Sequence, residues 1–197
     1  MRRLVLLAAL VAMNVLLVAC AGGKEFVRPS SDELVLGKTT EQEIRKRMGD
    51  PERQGTVFRN GQTVTTLSYG YALAVPYVDD VKTRAMGFYF LNGTLVGYEF
   101  TSSFDGDKTR FDESKIGNIQ RGQTTRQDVI ALFGRPGGMY AYPLLKDKDA
   151  IALVYFFIDS ERHPFGATVK QTRKLLVVPI DRQGVVSDVE YTASEPK

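Results

Sequence analysis

One cysteine, one histidine and no tryptophan occur in 197 residues, and each scarcity removes a class of explanation. A lone cysteine allows no intrachain disulfide, so in an oxidising compartment the fold must be held by its core. The lone histidine, His163, excludes a histidine-based metal cluster. It stands in the loop Ser160-Glu161-Arg162-His163-Pro164-Phe165-Gly166 without a nucleophilic Ser or Cys motif, which favours a surface loop residue over a general base. An excess of one charge is missing too. The chain carries 26 basic and 23 acidic residues, a net +3 that falls to +1 if Arg2 and Arg3 leave with a signal segment. No basic stripe with interleaved aromatics accompanies it, so a nucleic acid partner is not expected. Asp79-Asp80 and Asp105-Gly106-Asp107 lack the ligand spacing of an EF-hand and read as solvated turns. The expectation is no metal, no cofactor and no catalytic residue, hence no enzyme.

What is present begins at the N-terminus. Arg2 and Arg3 precede an apolar run from Leu4 to Val18 that ends abruptly at Ala19-Cys20-Ala21-Gly22-Gly23. It is short for a stable membrane span and reads as a secretory signal over residues 1–19. The run Leu17-Val18-Ala19-Cys20 resembles the lipobox of bacterial lipoproteins. That resemblance implies cleavage before Cys20, with diacylglycerol on its sulfur and a further acyl chain on its amine. The competing readings are an ordinary signal with a chance cysteine, or a buried thiol in a retained helix. Each buried methylene contributes about 0.8 kcal/mol, so two or more chains hold a protein on a bilayer without spanning it. Ala21 stands where lipoproteins of enteric type carry an inner-membrane Asp, which implies the periplasmic face of the outer membrane. Residues 20–31 are expected to form a short tether behind the lipidated Cys20.

The chain then repeats itself. Gly37 to Pro51 reads GKTTEQEIRKRMGDP, and Gly122 to Pro136, 85 residues later, reads GQTTRQDVIALFGRP, with six of fifteen positions identical. Ordinary composition gives about one identity by chance, so this is an internal repeat. Thr39 or Thr40 with Gln42 or Glu43, and Thr124 or Thr125 with Gln127 or Asp128, are capping-box signals. Ile44 and Met48, and Val129, Leu132 and Phe133, fall at helical spacing. Gly49-Asp50-Pro51 and Gly134-Arg135-Pro136 then end the helices. Alternation with period two follows in Thr63–Tyr71, Met86–Phe90 and Thr94–Phe100, with a tight turn at Asn92-Gly93. Ile151–Ile158, Lys174–Ile180 and Val185–Tyr191 read the same way, with Pro179 suggesting an edge or a bulge. The fold expected is α+β: two tandem repeats, residues 32–107 and 108–197, each a helical layer packed on a three-stranded antiparallel sheet.

The Gly-x-Thr, aliphatic, Gly-x-Pro pattern followed by strands such as Asn92-Gly93-Thr94-Leu95-Val96-Gly97-Tyr98-Glu99-Phe100 resembles the SmpA/OmlA (BamE) family of outer-membrane assembly lipoproteins. It is also similar to the beta-lactamase inhibitor protein family, which pairs two such units. The resemblance implies that fold, an envelope location and a protein partner. Lys38 and Gln123 stand where the first family often has Met, and the inhibitors' disulfides have no counterpart.

The aromatics are the remaining signal, most of them expected in the core. A sheet covered on one face leaves the other open; Tyr69, Tyr71, Tyr140, Tyr142 and Tyr155 could supply rigid contact there, with Tyr69, Tyr71 and Tyr155 the candidate partner-binding residues. Tyr77 and Phe165, in the loops after Pro76 and Pro164, are the other two candidates, beside the apolar run Leu73–Val78. The leading reading is a non-catalytic outer-membrane lipoprotein that binds envelope or outer-membrane assembly proteins. A periplasm-facing inhibitor or amphiphile-binding lipoprotein is the alternative, and a hydrolase with dispersed carboxylates the third.

Overall fold

Two local signals recur at the same contacts in the computed structural model, which describes residues 20–74, 81–162 and 169–194. Helix α1 (Glu41–Met48) is capped by Thr40, whose hydroxyl accepts the Glu43 N–H while the Glu43 carboxylate accepts the Thr40 N–H. Helix α2 (Arg126–Phe133) is capped by Thr125 and Asp128 in the same way. Thr40 and Thr125 are therefore the caps, and Thr39 and Thr124 serve the preceding turns, accepting the N–H of Val35 and of Gln120. Gly49 and Gly134 end the helices at φ 80°, with ψ −159° and −162°. The sequence pattern suggests a left-handed helical residue at this point. The observed conformation is instead the extended region at positive φ that essentially only glycine adopts.

The strands are β1 (Cys20–Gly23), β2 (Arg53–Arg59), β3 (Gln62–Ala74), β4 (Val81–Leu91) and β5 (Thr94–Ser102), then β6 (Gly138–Tyr140), β7 (Ile151–Arg162), β8 (Val169–Ile180) and β9 (Glu190–Ser194). All nine belong to one antiparallel sheet in the order β1-β3-β4-β5-β6-β7-β8-β9, with β2 also paired to β3. A 3-10 turn, Glu113–Asn118, lies between β5 and α2.

The expectation of two helical layers, each on its own three-stranded sheet, is therefore wrong. Strand makes up 46% of the described residues, and each α-helix has only eight residues. The physical reason is β6, a three-residue strand that the alternation did not reveal. Its Met139 and Tyr140 pair with Tyr98 and Gly97 of β5 on one side and with Leu153 and Ala152 of β7 on the other. Each edge that would have ended a small sheet is thereby taken up, and one continuous sheet results. Two further strands were missed. Asn60-Gly61 is a turn of the same kind as Asn92-Gly93, with φ 45° and 81°, and it joins β2 to β3. Cys20–Gly23, expected within a free tether, pairs with Tyr71–Ala74 as β1. Val185–Tyr191 is not a continuous strand: Val185 and Val186 form isolated bridges and β9 starts at Glu190. Pro179 pairs with Ala152 on β7, and the β9 ladder stops at Val177, so its missing N–H costs no ladder bond.

Alternation along the strands gives the sheet two unlike faces. One carries Leu67, Tyr69, Met86, Phe88, Phe90, Tyr98 and Phe100, packed on Ile44 and Met48 of α1. It continues as Leu153, Tyr155, Phe157, Leu176 and Val178, packed on Val129 of α2. Tyr69 donates its hydroxyl to the Gly49 carbonyl at 3.0 Å, and Tyr155 to the Gly134 carbonyl at 3.0 Å, tying each helix end to the sheet. Among the described residues no helix is long and apolar enough to cross a membrane.

Candidate functional site

The second face of the sheet has no helix on it. A β-bulge sets its geometry: Tyr89 on β4 pairs with Gly97 on β5, while Phe90 pairs with Leu95, leaving Val96 as the extra residue. The Val96 carbonyl accepts the Ala141 N–H at 2.9 Å and so anchors the segment after β6. That segment, residues 141–150, folds back over the helix-free face. There Leu145 and Ala150 form a small apolar cluster with Ala152 and Val177, backed by Tyr140 and Leu175. The β2–β3 turn holds it from the far side. Asn60 donates its amide to the Pro143 carbonyl at 3.0 Å, and Tyr142 donates its hydroxyl to the Asn60 carbonyl at 3.2 Å.

Gly97 decides what meets beneath that segment. It lies in register between Tyr89 and Tyr140, on strands that are second neighbours and so about 9–10 Å apart. With no side chain between them, the two rings close to 5.6 Å between centroids, edge to face at 82°. A Cβ at position 97 would lie 2.3 Å from Leu144 Cδ1 and 2.9 Å from Tyr140 Cδ1, so only glycine fits without displacing both.

Two residues along β5, Glu99 points to the same face. Tyr89 donates its hydroxyl to Glu99 Oε1 at 2.9 Å, and Tyr140 donates to Oε2. Burial raises the Glu99 carboxyl above its ordinary value, and the two phenol bonds oppose that shift without cancelling it. Burial, and then the Glu99 charge, push both phenols far up, so they remain protonated donors at any ordinary pH. Both carboxyl oxygens are thus already engaged. The cluster is a fixed hydrogen-bond network in which the two phenol hydroxyls and both carboxyl oxygens are committed to one another.

A pocket of about 650 Å³ opens beside it. Val57, Leu144, Leu145 and Val177 supply apolar lining, while Arg59, Lys146, Asp188 and Glu190 supply charge of both signs. This size falls within the range of small-molecule sites. Among the described residues no group of three His, Cys, Asp or Glu side chains could hold a metal.

The residues expected to bind a partner are distributed otherwise. Tyr69, 6% exposed, and Tyr155, 2% exposed, are core residues on the helix-covered face with their hydroxyls spent on helix-end carbonyls. They do not present a contact surface. Tyr71 is half-buried and stacked on Phe104 at 5.8 Å. Tyr77, Phe165 and His163 lie outside the described residues, as do Asp79 and Asp80. The Cys20 backbone pairs with Ala74 at the end of β1. Asp107 is spent on Arg84 and on the Ser102 hydroxyl. Sequence reading missed Tyr89 and Glu99, and named Tyr140 only as one of five tyrosines for the uncovered face. The one available signal was Glu99, a carboxylate inside the otherwise apolar strand Leu95–Phe100.

No protein-family model matches the chain, and a search of curated proteins gave no match. A solved structure from Streptococcus mutans, described as a candidate beta-lactamase inhibitor protein, is similar in fold at a TM-score of 0.43 and 10% identity. The match covers 82% of this chain and 91% of that one. The SmpA/OmlA resemblance has no counterpart among these matches.

Proposed function

We propose that this chain is a lipid-anchored, non-catalytic module that binds an envelope protein on the helix-free face of its sheet. The observation that carries the reading is the Tyr89–Glu99–Tyr140 network beside an apolar pocket, on a face with no helical layer. Phenol rings held in place by the Glu99 bonds lose little entropy on contact, so the network fixes the pocket floor before a partner arrives. The anchor is Cys20, the only cysteine, behind its lipobox-like run. By that reading the protein faces the periplasm from the outer membrane.

The test is crosslinking in membranes followed by purification in mild detergent, comparing the unaltered protein with a Val57→Lys, Leu144→Gln double variant. Both positions line the pocket, and neither belongs to the helix-side core. A specific envelope protein recovered with the unaltered chain and lost with the variant is the expected result. Equal recovery with both would refute the assignment to this face.

A second reading is favoured by the apolar lining from Leu145, Ala150 and Val177, which suits a small amphiphile. Native mass spectrometry that finds one bound amphiphile, absent from the double variant, would select it over the first.

A further inference from the structure

A sheet that does not close on itself leaves backbone groups exposed at its margins. Among the described residues three strands have a single neighbour: β1 with four residues, β9 with five and β2 with seven. β2 is the longest of these, and its sequence Arg53-Gln54-Gly55-Thr56-Val57-Phe58-Arg59 holds no proline and no carboxylate. Six of the seven residues are exposed and Val57 is half-buried, so the described part of the chain leaves this strand uncovered.

Which of its backbone groups face outward follows from the turn. Asn60 and Gly61, at φ 45° and 81°, form a two-residue connection, which makes Arg59 and Gln62 the pair that exchanges both backbone bonds. Bonded and non-bonded pairs then alternate, so the N–H and C=O of Gln54, Thr56 and Phe58 point away from β3. One contact agrees with that phase: the Phe58 carbonyl accepts an N–H of the Arg59 guanidinium at 3.1 Å, at an exposed position. Gln54, Thr56 and Phe58 thus each present one donor and one acceptor at two-residue spacing, the pattern that an added strand completes.

The side chains select the occupant. Val57 and Arg59 line the pocket on the helix-free face, and alternation puts Arg53 and Gly55 on that side too. The other side carries Gln54, Thr56 and Phe58, with Phe58 69% exposed. A second copy of this chain fits badly. The antiparallel register that pairs all seven residues of two β2 strands sets each Arg53 against an Arg59, and like charges directly opposite are destabilising. A strand with carboxylates at those two places turns the same geometry into attraction. The Arg53 guanidinium makes no hydrogen bond or ion pair among the described residues, and Arg59 spends one of its five N–H donors on the Phe58 carbonyl. When Arg59 turns to a carboxylate, that carbonyl accepts an N–H of the added strand, so the exchange loses no bond.

We propose that the β2 edge takes up an extended segment of a partner protein as an added antiparallel strand, with acidic residues six apart opposite Arg53 and Arg59 and an apolar residue opposite Phe58. Antiparallel addition is the choice because parallel pairing is slightly less stable per residue. The site is the margin of the sheet and does not depend on what occupies the pocket, so this reading and the proposed function stand or fall separately.

The peptide Glu-Ile-Val-Thr-Phe-Thr-Glu carries that pattern. Fluorescence anisotropy of the dye-labelled peptide with the detergent-solubilised full chain measures binding, and amide hydrogen exchange followed by NMR locates it. Exchange should slow at Gln54, Thr56 and Phe58 and stay unchanged at Gly55 and Val57, whose N–H groups already face β3. Thr56→Pro removes an outward N–H and no bond to β3, and should weaken binding about ten-fold. An Arg53→Glu, Arg59→Glu variant should lose a similar factor and should prefer a peptide with Lys in place of both Glu residues. The charge reversal keeps the proposal falsifiable where proline disturbs the strand, and thermal melts check the folding of both variants. No binding by the unaltered chain, protection confined to residues outside β2, or equal binding of the Glu and Lys peptides would overturn the proposal. So would a dimer of the unaltered chain that Thr56→Pro dissolves, which would give the edge to a second copy.

Discussion

Tyr140 on β6 donates its hydroxyl to Glu99 on β5, so the strand that joins the two halves of the sheet also closes the polar cluster on its helix-free face. Continuity of the sheet and construction of the site are the same structural event. The consequences can be measured one by one.

Glu99 should make stability pH-dependent in a defined direction. Its folded-state carboxyl is raised by burial, so the folded protein holds its proton more tightly than the unfolded chain does. The stability this contributes is complete below the ordinary glutamate value of 4.5 and is lost as pH rises from there through the raised value. Glu99→Gln, which cannot ionise, should flatten that slope. Melting temperatures between pH 4 and 8 should therefore move in favour of the variant as pH increases. Parallel curves for the two proteins would mean that burial does not penalise the Glu99 charge.

Tyr69 and Tyr155 make equivalent bonds, each 3.0 Å long, to a helix-ending glycine carbonyl. Tyr69→Phe and Tyr155→Phe should each cost about 1 kcal/mol, the usual net worth of a buried hydrogen bond. The two sites belong to separate core clusters, so the double variant should lose close to the sum. Urea denaturation measures this, and a strongly sub-additive result would show the two helix ends to be coupled.

Gly97→Val should act on one segment. Its Cβ would overlap Leu144 and Tyr140, and relief requires residues 141–150 to lift off the sheet. The expected cost is about 1–3 kcal/mol, as for other overpacked positions. Limited proteolysis should show new cleavage within 141–150, and Tyr89 should lose its edge-to-face partner. An unchanged digestion pattern would show that the strands yield instead.

Cys20→Ser tests the anchor. With the thiol gone no acyl chain can be attached through sulfur, and the protein should move from the membrane fraction to the soluble one. The unaltered protein should carry acyl mass on residue 20. A mature protein without that mass would remove the membrane placement while leaving the proposed binding face unaffected.

Much of the local structure was legible because its causes are local. Thr40 with Glu43, and Thr125 with Asp128, are three residues apart and satisfy helix-end N–H groups wherever the chain folds. Asn92-Gly93 turns a hairpin by its own dihedral preference, and Asn60-Gly61 should have been read the same way. The aromatic candidates fared differently. Period two places Tyr69 and Tyr155 with other apolar residues, yet it cannot tell which of two faces a helix will cover.

The sequence by itself determined where each helix begins and stops, where the long hairpin strands alternate, and that a single pattern is written twice. These depend on contacts within a few residues. Only the tertiary structure decided that three residues, Gly138–Tyr140, would join every strand into one sheet, and that Tyr89, Glu99 and Tyr140 would meet across Gly97. Such pairing is settled by which strand edges remain unfilled after the rest of the chain has packed, and no short window of residues carries that information.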